Sequence, residues 1–349
     1  MVRTIAPDAV SAQLDAHLAK VARRRARRGL PAPQVLVRAP GLELSSGARE
    51  LPFHAASVAK LATAALVMQQ VEEGRLALST LVAEVLPDDE IEGLFGGPGA
   101  TLEHLLGHTS GIADYFEGRV THGLPMRTLV TTEQDHVWTQ RALLDLTRER
   151  QRPVAAPGRR FHYSDTGYVL LGRVLEEVTG RSYTELLRAR VLEPAGMTSS
   201  ALWRREPGPE RIAPLWVDGV ELSGAASLTC DWSGGGIVTT LDDLARLAVA
   251  LRDGTLVRPE TFAAMTRPRE RFRQGMRYGL GAMQLRLGEL ALAPGLPRPV
   301  GHLGVLGVHC FTDPARETTV ILNFHSTREM RASFQTHIRI AMILARAAR

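Results

Sequence analysis

Phe53-His54-Ala55-Ala56-Ser57-Val58-Ala59-Lys60, followed by the apolar, alanine-rich run Leu61 to Val71, is the stretch on which the reading of this chain turns. Ser57 and Lys60 are three apart, and at about 3.6 residues per turn that spacing predicts both side chains on one face of a helix's first turn. An amine is thereby held against a hydroxyl. Serine needs a base to take its proton before it attacks, and a lysine that has lost part of its hydration can be that base. The first turn of a helix also carries unpaired N–H groups and the positive end of the dipole, which suit an oxyanion. The same serine could instead serve only as an N-cap, so the rest of the chain must decide.

A chain of 349 residues, 44% hydrophobic and 23% charged, is of ordinary globular composition and can bury a large core. The formal charge is +5, and the densest basic cluster, Arg23, Arg24, Arg25, Arg27 and Arg28, ends a helical pattern built on Val10, Leu14, Leu18 and Val21. A solvated helix end accounts for that cluster, and without stacking aromatics or a reader motif no nucleic-acid partner is expected. Cys230 and Cys310 are far apart and suggest neither a disulfide framework nor a metal site. Met1 to Arg28 shows no run of signal-peptide type and no stretch of about 20 apolar residues occurs, so a cytoplasmic, non-membrane location is the expectation.

Outward from the Ser57 helix, which should stop at Gly74, the chain divides by pattern. Gln34 to Arg38 and Leu42 to Ser45 read as a hairpin around Pro40-Gly41. Residues 78–227 are mostly helical, with Thr101 capping a short helix and Val169 to Val178 forming an amphipathic one ended by Gly180. Strand-like runs follow at Leu280 to Leu287, Val300 to His302, Gly307 to Thr312 and Thr318 to Asn323, then a helix from about Glu329. The class is therefore α+β: an antiparallel sheet flanked by helices, made from residues 1–77 and 228–349, with a helical lobe 78–227 inserted and the active site between the lobes. His104 and His108 are four apart, but a metal would need a third ligand that the nearby sequence lacks. Ser233-Gly-Gly-Gly236 has no Walker lysine and points to close backbone packing, not a phosphate cradle.

Ser57-Val58-Ala59-Lys60, Tyr163-Ser164-Asp165 and His302-Leu303-Gly304 occur in the order and spacing of the three motifs of the serine β-lactamase and penicillin-binding-protein superfamily. Supporting text includes His108-Thr-Ser-Gly-Ile112, Leu192-Glu-Pro-Ala-Gly-Met197 and Gly234-Gly-Gly-Ile-Val-Thr-Thr240, so that the chain resembles the class C branch over roughly residues 50 to 325. The resemblance implies that Ser57 is acylated, that Lys60 and Tyr163 share proton transfer, and that the N–H groups of Ser57 and Val305 hold the oxyanion. His302 and Gly304 would line the edge strand along which substrate lies. No metal and no organic cofactor is implied.

Two departures from the pattern carry information. Asp165 stands where the family usually has asparagine; an ionised carboxylate cannot donate a hydrogen bond, favours the Lys60 ammonium and shifts the base role toward Tyr163. It could also meet a cationic substrate group. His302 stands where penicillin-recognising enzymes often carry lysine, which makes fixed recognition of a carboxylate less favourable. The expected activity is cleavage of a small-molecule ester, amide or peptide through an acyl-Ser57 intermediate. An acyltransferase, a peptide cyclase or a D-amino-acid peptidase would use the same residues, and a non-catalytic scaffold is the rival of another class. His108, His162, His309 and His325 read as structural or loop histidines. Trp138, Trp203, Trp216 and Trp232 would either shape an acyl pocket or pack the helical lobe.

Overall fold

The computed structural model describes residues 7–347. The head of the stretch inspected for an export signal, residues 1–6, and the end of the helix expected from about Glu329, residues 348–349, lie outside the described residues. Helix α1 (Pro7–Ala26) precedes the hairpin of β1 (Gln34–Ala39) and β2 (Leu42–Ser46), in which Ala39 faces Leu42 across a turn with Gly41 at φ +70°. After β3 (Phe53–His54), a single 3-10 turn at Ala56–Ala59 leads into α2 (Lys60–Glu72), which ends before Gly74 at φ +72°.

The middle of the chain holds α3 (Asp88–Ile91), α4 (Leu102–Leu106), α5 (Met126–Thr132), α6 (Gln140–Arg150), α7 (Asp165–Thr179) and α8 (Tyr183–Leu187). The short strands β4 (Ala201–Leu202), β5 (Trp216–Val217) and β6 (Val220–Glu221) follow, then α9 (Trp232–Gly235), β7 (Ile237–Thr239), α10 (Leu241–Arg252) and α11 (Pro259–Thr266). The last stretch runs β8 (Glu270–Arg273), β9 (Met276–Tyr278), β10 (Met283–Leu285), α12 (Leu287–Ala291), β11 (Val300–Gly304), β12 (Val308–Asp313), β13 (Thr318–Asn323) and α13 (Met330–Ala347).

The main sheet is antiparallel with strand order β2-β1-β13-β12-β11-β10-β9-β8, so both ends of the sequence build it. Strand alternation sorts its faces: Val35 and Val37 pack with Val10, Leu14 and Ile340 under α1 and α13, while Leu36 joins the larger core on the other side. Helix α2 crosses that larger core, and every residue from Lys60 to Gln70 is buried. A helix apolar on all sides must be enclosed. Its small side chains permit close approach: a Cβ on Gly281 would lie 2.2 Å from the Ala64 Cβ.

Two expectations are corrected. Leu280 to Leu287 is not one strand, because Gly281 turns at φ +76° against α2 and Leu287 already begins α12, leaving three residues for β10. The basic cluster is not simply solvated: Arg25 is 2% exposed and reaches across to Glu329 (2.6 Å) and the Phe324 carbonyl (2.9 Å), with Arg28 also on Glu329. Among the described residues no helix is long and apolar enough to cross a membrane.

Candidate active site

Ser57 lies in the 3-10 turn one residue after Ala56, whose φ of +48° is a left-handed conformation that costs a non-glycine residue energy. The expectation of an α-helical first turn is thus modified, since α2 begins only at Lys60. In a 3-10 turn residues i and i+3 eclipse one another, which brings the same two side chains together. Lys60 Nζ donates to Ser57 Oγ at 3.2 Å and to the Gly234 carbonyl at 2.6 Å, and it also pairs with Asp165. These three acceptors match the three donors of an ammonium. The same nitrogen lies 5.2 Å from the Tyr163 ring centre and 5.0 Å from that of Tyr168, so aromatic faces enclose the charge.

Asp165 opens α7 with Ser164 as its N-cap, Oγ accepting the Gly167 N–H. Its own backbone N–H donates to Asp114 (3.0 Å), a buried carboxylate that also accepts from the N–H groups of Phe116 and Glu117. Burial pushes the Asp114 carboxyl up, and the neighbouring Asp165 charge pushes it further. With Lys60 taking Asp165 and the Gly234 carbonyl, the glycine-rich turn acts by close approach: a Cβ on Gly235 would stand 3.2 Å from both the Ala56 carbonyl carbon and Asp231.

The Tyr163 phenol and Ser57 line the same cleft. Loss of hydration and the Asp165 charge raise the Tyr163 pKa well above the ordinary phenol value, while the Ser57 hydroxyl works in the opposite direction. The resting phenol is therefore neutral. Across the cleft, Gly304 packs so tightly on the chain before Ser57 that a Cβ there would meet the Ala55 carbonyl at 2.8 Å, which sets Val305 beside Ser57. Among the described residues, neither the Ser57 nor the Val305 N–H has an acceptor within the protein.

His302 is not where the third motif led us to expect it. β10 pairs with β11 only at Gly301 and Val300, so the β11 edge beyond them is open, yet the His302 ring turns away from the cleft and is fully buried. Its Nε2 lies 3.0 Å from the Tyr278 hydroxyl and its Nδ1 2.9 Å from the Leu303 backbone. Burial and the Lys60 charge hold its pKa down to about 3, so it is a neutral support beneath the strand.

The cleft encloses about 220 Å³. Its lining includes the apolar Phe116, Phe272, Met276, Met283, Met330 and Phe334 and the charged Glu117, Arg127, Asp165, Asp231 and Arg273. The sequence signalled none of these except Asp165, because they arrive from scattered places: the loop after α4, helix α5, the residue before α9, the short strands β8, β9 and β10, and α13. Burial, with the Asp165 charge, pushes Asp231 up to about 7. The four tryptophans are not among the residues lining the cleft; Trp138, Trp203 and Trp232 are buried in the main core. His104 and His108 each give Nδ1 to a backbone N–H, of Thr101 and Ser164 respectively.

The Beta-lactamase family model matches residues 23–344. The chain belongs to the beta-lactamase family. Within it, the chain is 36% identical over 163 residues to penicillin-binding protein 4 of Amycolatopsis lactamdurans, covering 46% of this chain and 39% of that protein. It is 32% identical over 164 residues to penicillin-binding protein 4* of Bacillus subtilis (strain 168), covering 46% and 32%. This beta-lactamase family chain thus spans well under half the length of those two relatives. Among solved structures it is similar to the D-amino acid amidase of Ochrobactrum anthropi SV3 complexed with D-phenylalanine, with a TM-score of 0.79 and 22% identity over 97% of this chain and 98% of that one.

Proposed function

We propose that this chain is a serine hydrolase that cleaves esters or small amides by acyl transfer through an ester on Ser57. The observation that carries the proposal is the convergence of Lys60 Nζ (3.2 Å), the Tyr163 phenol and two acceptor-free N–H groups on the Ser57 hydroxyl at the edge of a cleft. With the Tyr163 phenol ionised beside the Lys60 ammonium, Ser57 Oγ attacks the substrate carbonyl, its proton passes to the Tyr163 oxygen, and the carbonyl oxygen takes up charge between the N–H groups of Ser57 and Val305. Collapse expels the leaving group, which receives that proton. Water then attacks the acyl-Ser57 ester by the same route in reverse. We read the cleft as the seam between the lobe of residues 1–77 and 228–349 and the inserted residues 78–227.

The substrate class follows from the walls. Apolar side chains from Phe116 to Phe334 suit an aromatic or branched acyl group, and this agrees with the likeness to an amidase captured with D-phenylalanine. A neutral, inward-turned His302 offers no fixed charge to a substrate carboxylate, and the cleft lining mixes its acids with Arg127 and Arg273. Asp165 is engaged by Lys60, so its first task is to hold the ammonium, not to meet a substrate amine.

The test is a panel of nitrophenyl esters, D- and L-amino-acid amides and nitrocefin against wild type and Ser57→Ala, with mass spectrometry of a fluorophosphonate adduct. Esters or amides should be turned over, the adduct should sit on Ser57, and Ser57→Ala should lose about 10³-fold or more in kcat. Preference for nitrocefin, or labelling elsewhere, would overturn the proposal.

A further inference from the structure

His108 takes no part in the reaction just described, yet it touches three consecutive residues around the phenol. Its carbonyl accepts the His162 N–H at 2.7 Å, and its Nδ1 accepts the Ser164 N–H at 3.1 Å. Between those two ties its ring stacks on Tyr163, with centroids 4.1 Å apart and planes tilted by 34°. Tyr168 and Tyr278 close the box at 5.2 Å and 4.7 Å. The ring is 1% exposed, and because Nδ1 accepts, the neutral imidazole carries its proton on Nε2, which has no hydrogen-bond partner among the described residues.

A histidine chosen only to fill the core would not need this arrangement. The backbone at His108 is left-handed, φ +56°, and a buried donor is left unpaired, both of which cost stability. What those costs secure is a flat ring against the phenol and an acceptor for the next peptide. We propose that His108 is a positioning residue for Tyr163, fixing the plane of its ring and hence the approach of its oxygen to Ser57. The inference rests on Tyr163 as a proton carrier. A protonated His108 would lose the Nδ1 acceptor; burial and the nearby Lys60 charge keep the ring neutral.

Two variants separate the ring from the acceptor. His108→Asn keeps a hydrogen-bond acceptor and tolerates a left-handed backbone, but removes the plate under Tyr163. His108→Phe keeps the plate and removes the acceptor. On the best ester from the panel, kcat should fall about 10- to 100-fold in His108→Asn with KM nearly unchanged, since a misplacement of about 1 Å in a catalytic group costs on this scale. His108→Phe should retain more kcat than His108→Asn even where its melting temperature is the lower of the two. In a Tyr163→Phe background, His108→Asn should cost no further activity, because two residues acting through one group are not additive.

Losses that add in the double variant, a kcat order that follows melting temperature, or wild-type kcat in His108→Asn would overturn the inference. A fully active Tyr163→Phe would instead overturn the assigned role of Tyr163, and with it the premise. A nearly inactive Tyr163→Phe beside a wild-type His108→Asn would remove only the role of His108.

Discussion

At Ala56 the chain enters a left-handed turn, and one residue later Ser57 Oγ meets Lys60 Nζ at 3.2 Å. Local strain and charge pairing act on the same few atoms there. Lys60 is 0% exposed and its carboxylate partner Asp165 is 11% exposed at the side chain, so removing the anion would leave a buried cation without compensation. Asp165→Leu should therefore lose roughly 3 kcal/mol, toward the low end for a broken buried pair because Gly234 and Ser57 still accept from the ammonium. Asp165→Asn, which keeps an acceptor oxygen, should lose less than half of that; urea titration of both variants checks the difference. The phenol gives a separate expectation. Its raised pKa leaves little phenolate at pH 7, so if Tyr163 must give up its proton before Ser57 attacks, kcat/KM on an uncharged ester should climb steadily from pH 7 to about pH 9. A flat profile over that range would place the base elsewhere.

Among the elements, α1 is fastened through one carboxylate to the turn just before α13. Glu329, 2% exposed, receives Arg25 and Arg28 at 2.6 Å each, and Arg25 is itself buried. Glu329→Ala should cost about 3 to 5 kcal/mol by stranding Arg25, whereas Arg28→Ala, at a side chain 58% exposed, should cost under about 1 kcal/mol. Equal losses in urea unfolding would show that the buried pair is not the fastening. This contact also marks the limit of what could be read in advance. Hairpin, Ser57 turn, α7, β12, β13 and α13 were legible because each is fixed by local signals: glycine turns, caps and period-2 or period-3.6 patterns. Ser57, Lys60 and Tyr163 were legible for the same reason, as their spacing is local or set by motif. Arg25 looked like a solvated helix end because the carboxylate that buries it lies about 300 residues downstream. His302 looked like a cleft residue because the resemblance of the third motif put it on the edge strand, and nothing local signals that Tyr278, on β9, would draw the ring inward. Met330 and Phe334 reach the cleft from α13, which was expected only as a helix from about Glu329.

Across the whole molecule, histidine is where charge is withheld. Burial is the first cause in each case: His54, His325 and His337 are held down to about 4, His302 to about 3, and His108 and His309 well below the ordinary value. His309 and His337 face each other Nδ1 to Nδ1 at 3.0 Å, and His309 Nε2 meets Ser333 at 2.8 Å, which ties β12 to α13. A second proton on that pair would set two N–H donors against each other. Opposing them, burial raises Asp114, Glu117 and Asp231, so these acids take up protons in the folded state before they do in the unfolded chain. Between about pH 6.5 and 4 the unfolded chain protonates these six buried histidines while the folded one largely does not, and the three acids offset only part of this. More protons are bound by the unfolded state, so stability is full above pH 6.5 and falls as pH drops, by up to about 1.4 kcal/mol per pH unit for each uncompensated proton. Urea unfolding at pH 7, 6 and 5 should show this decline. His337→Gln, which removes one such group, should flatten the slope by close to one proton, even though losing the contact with His309 lowers stability at pH 7. An unchanged slope in that variant would mean that the pair between β12 and α13 already takes up its proton in the folded state.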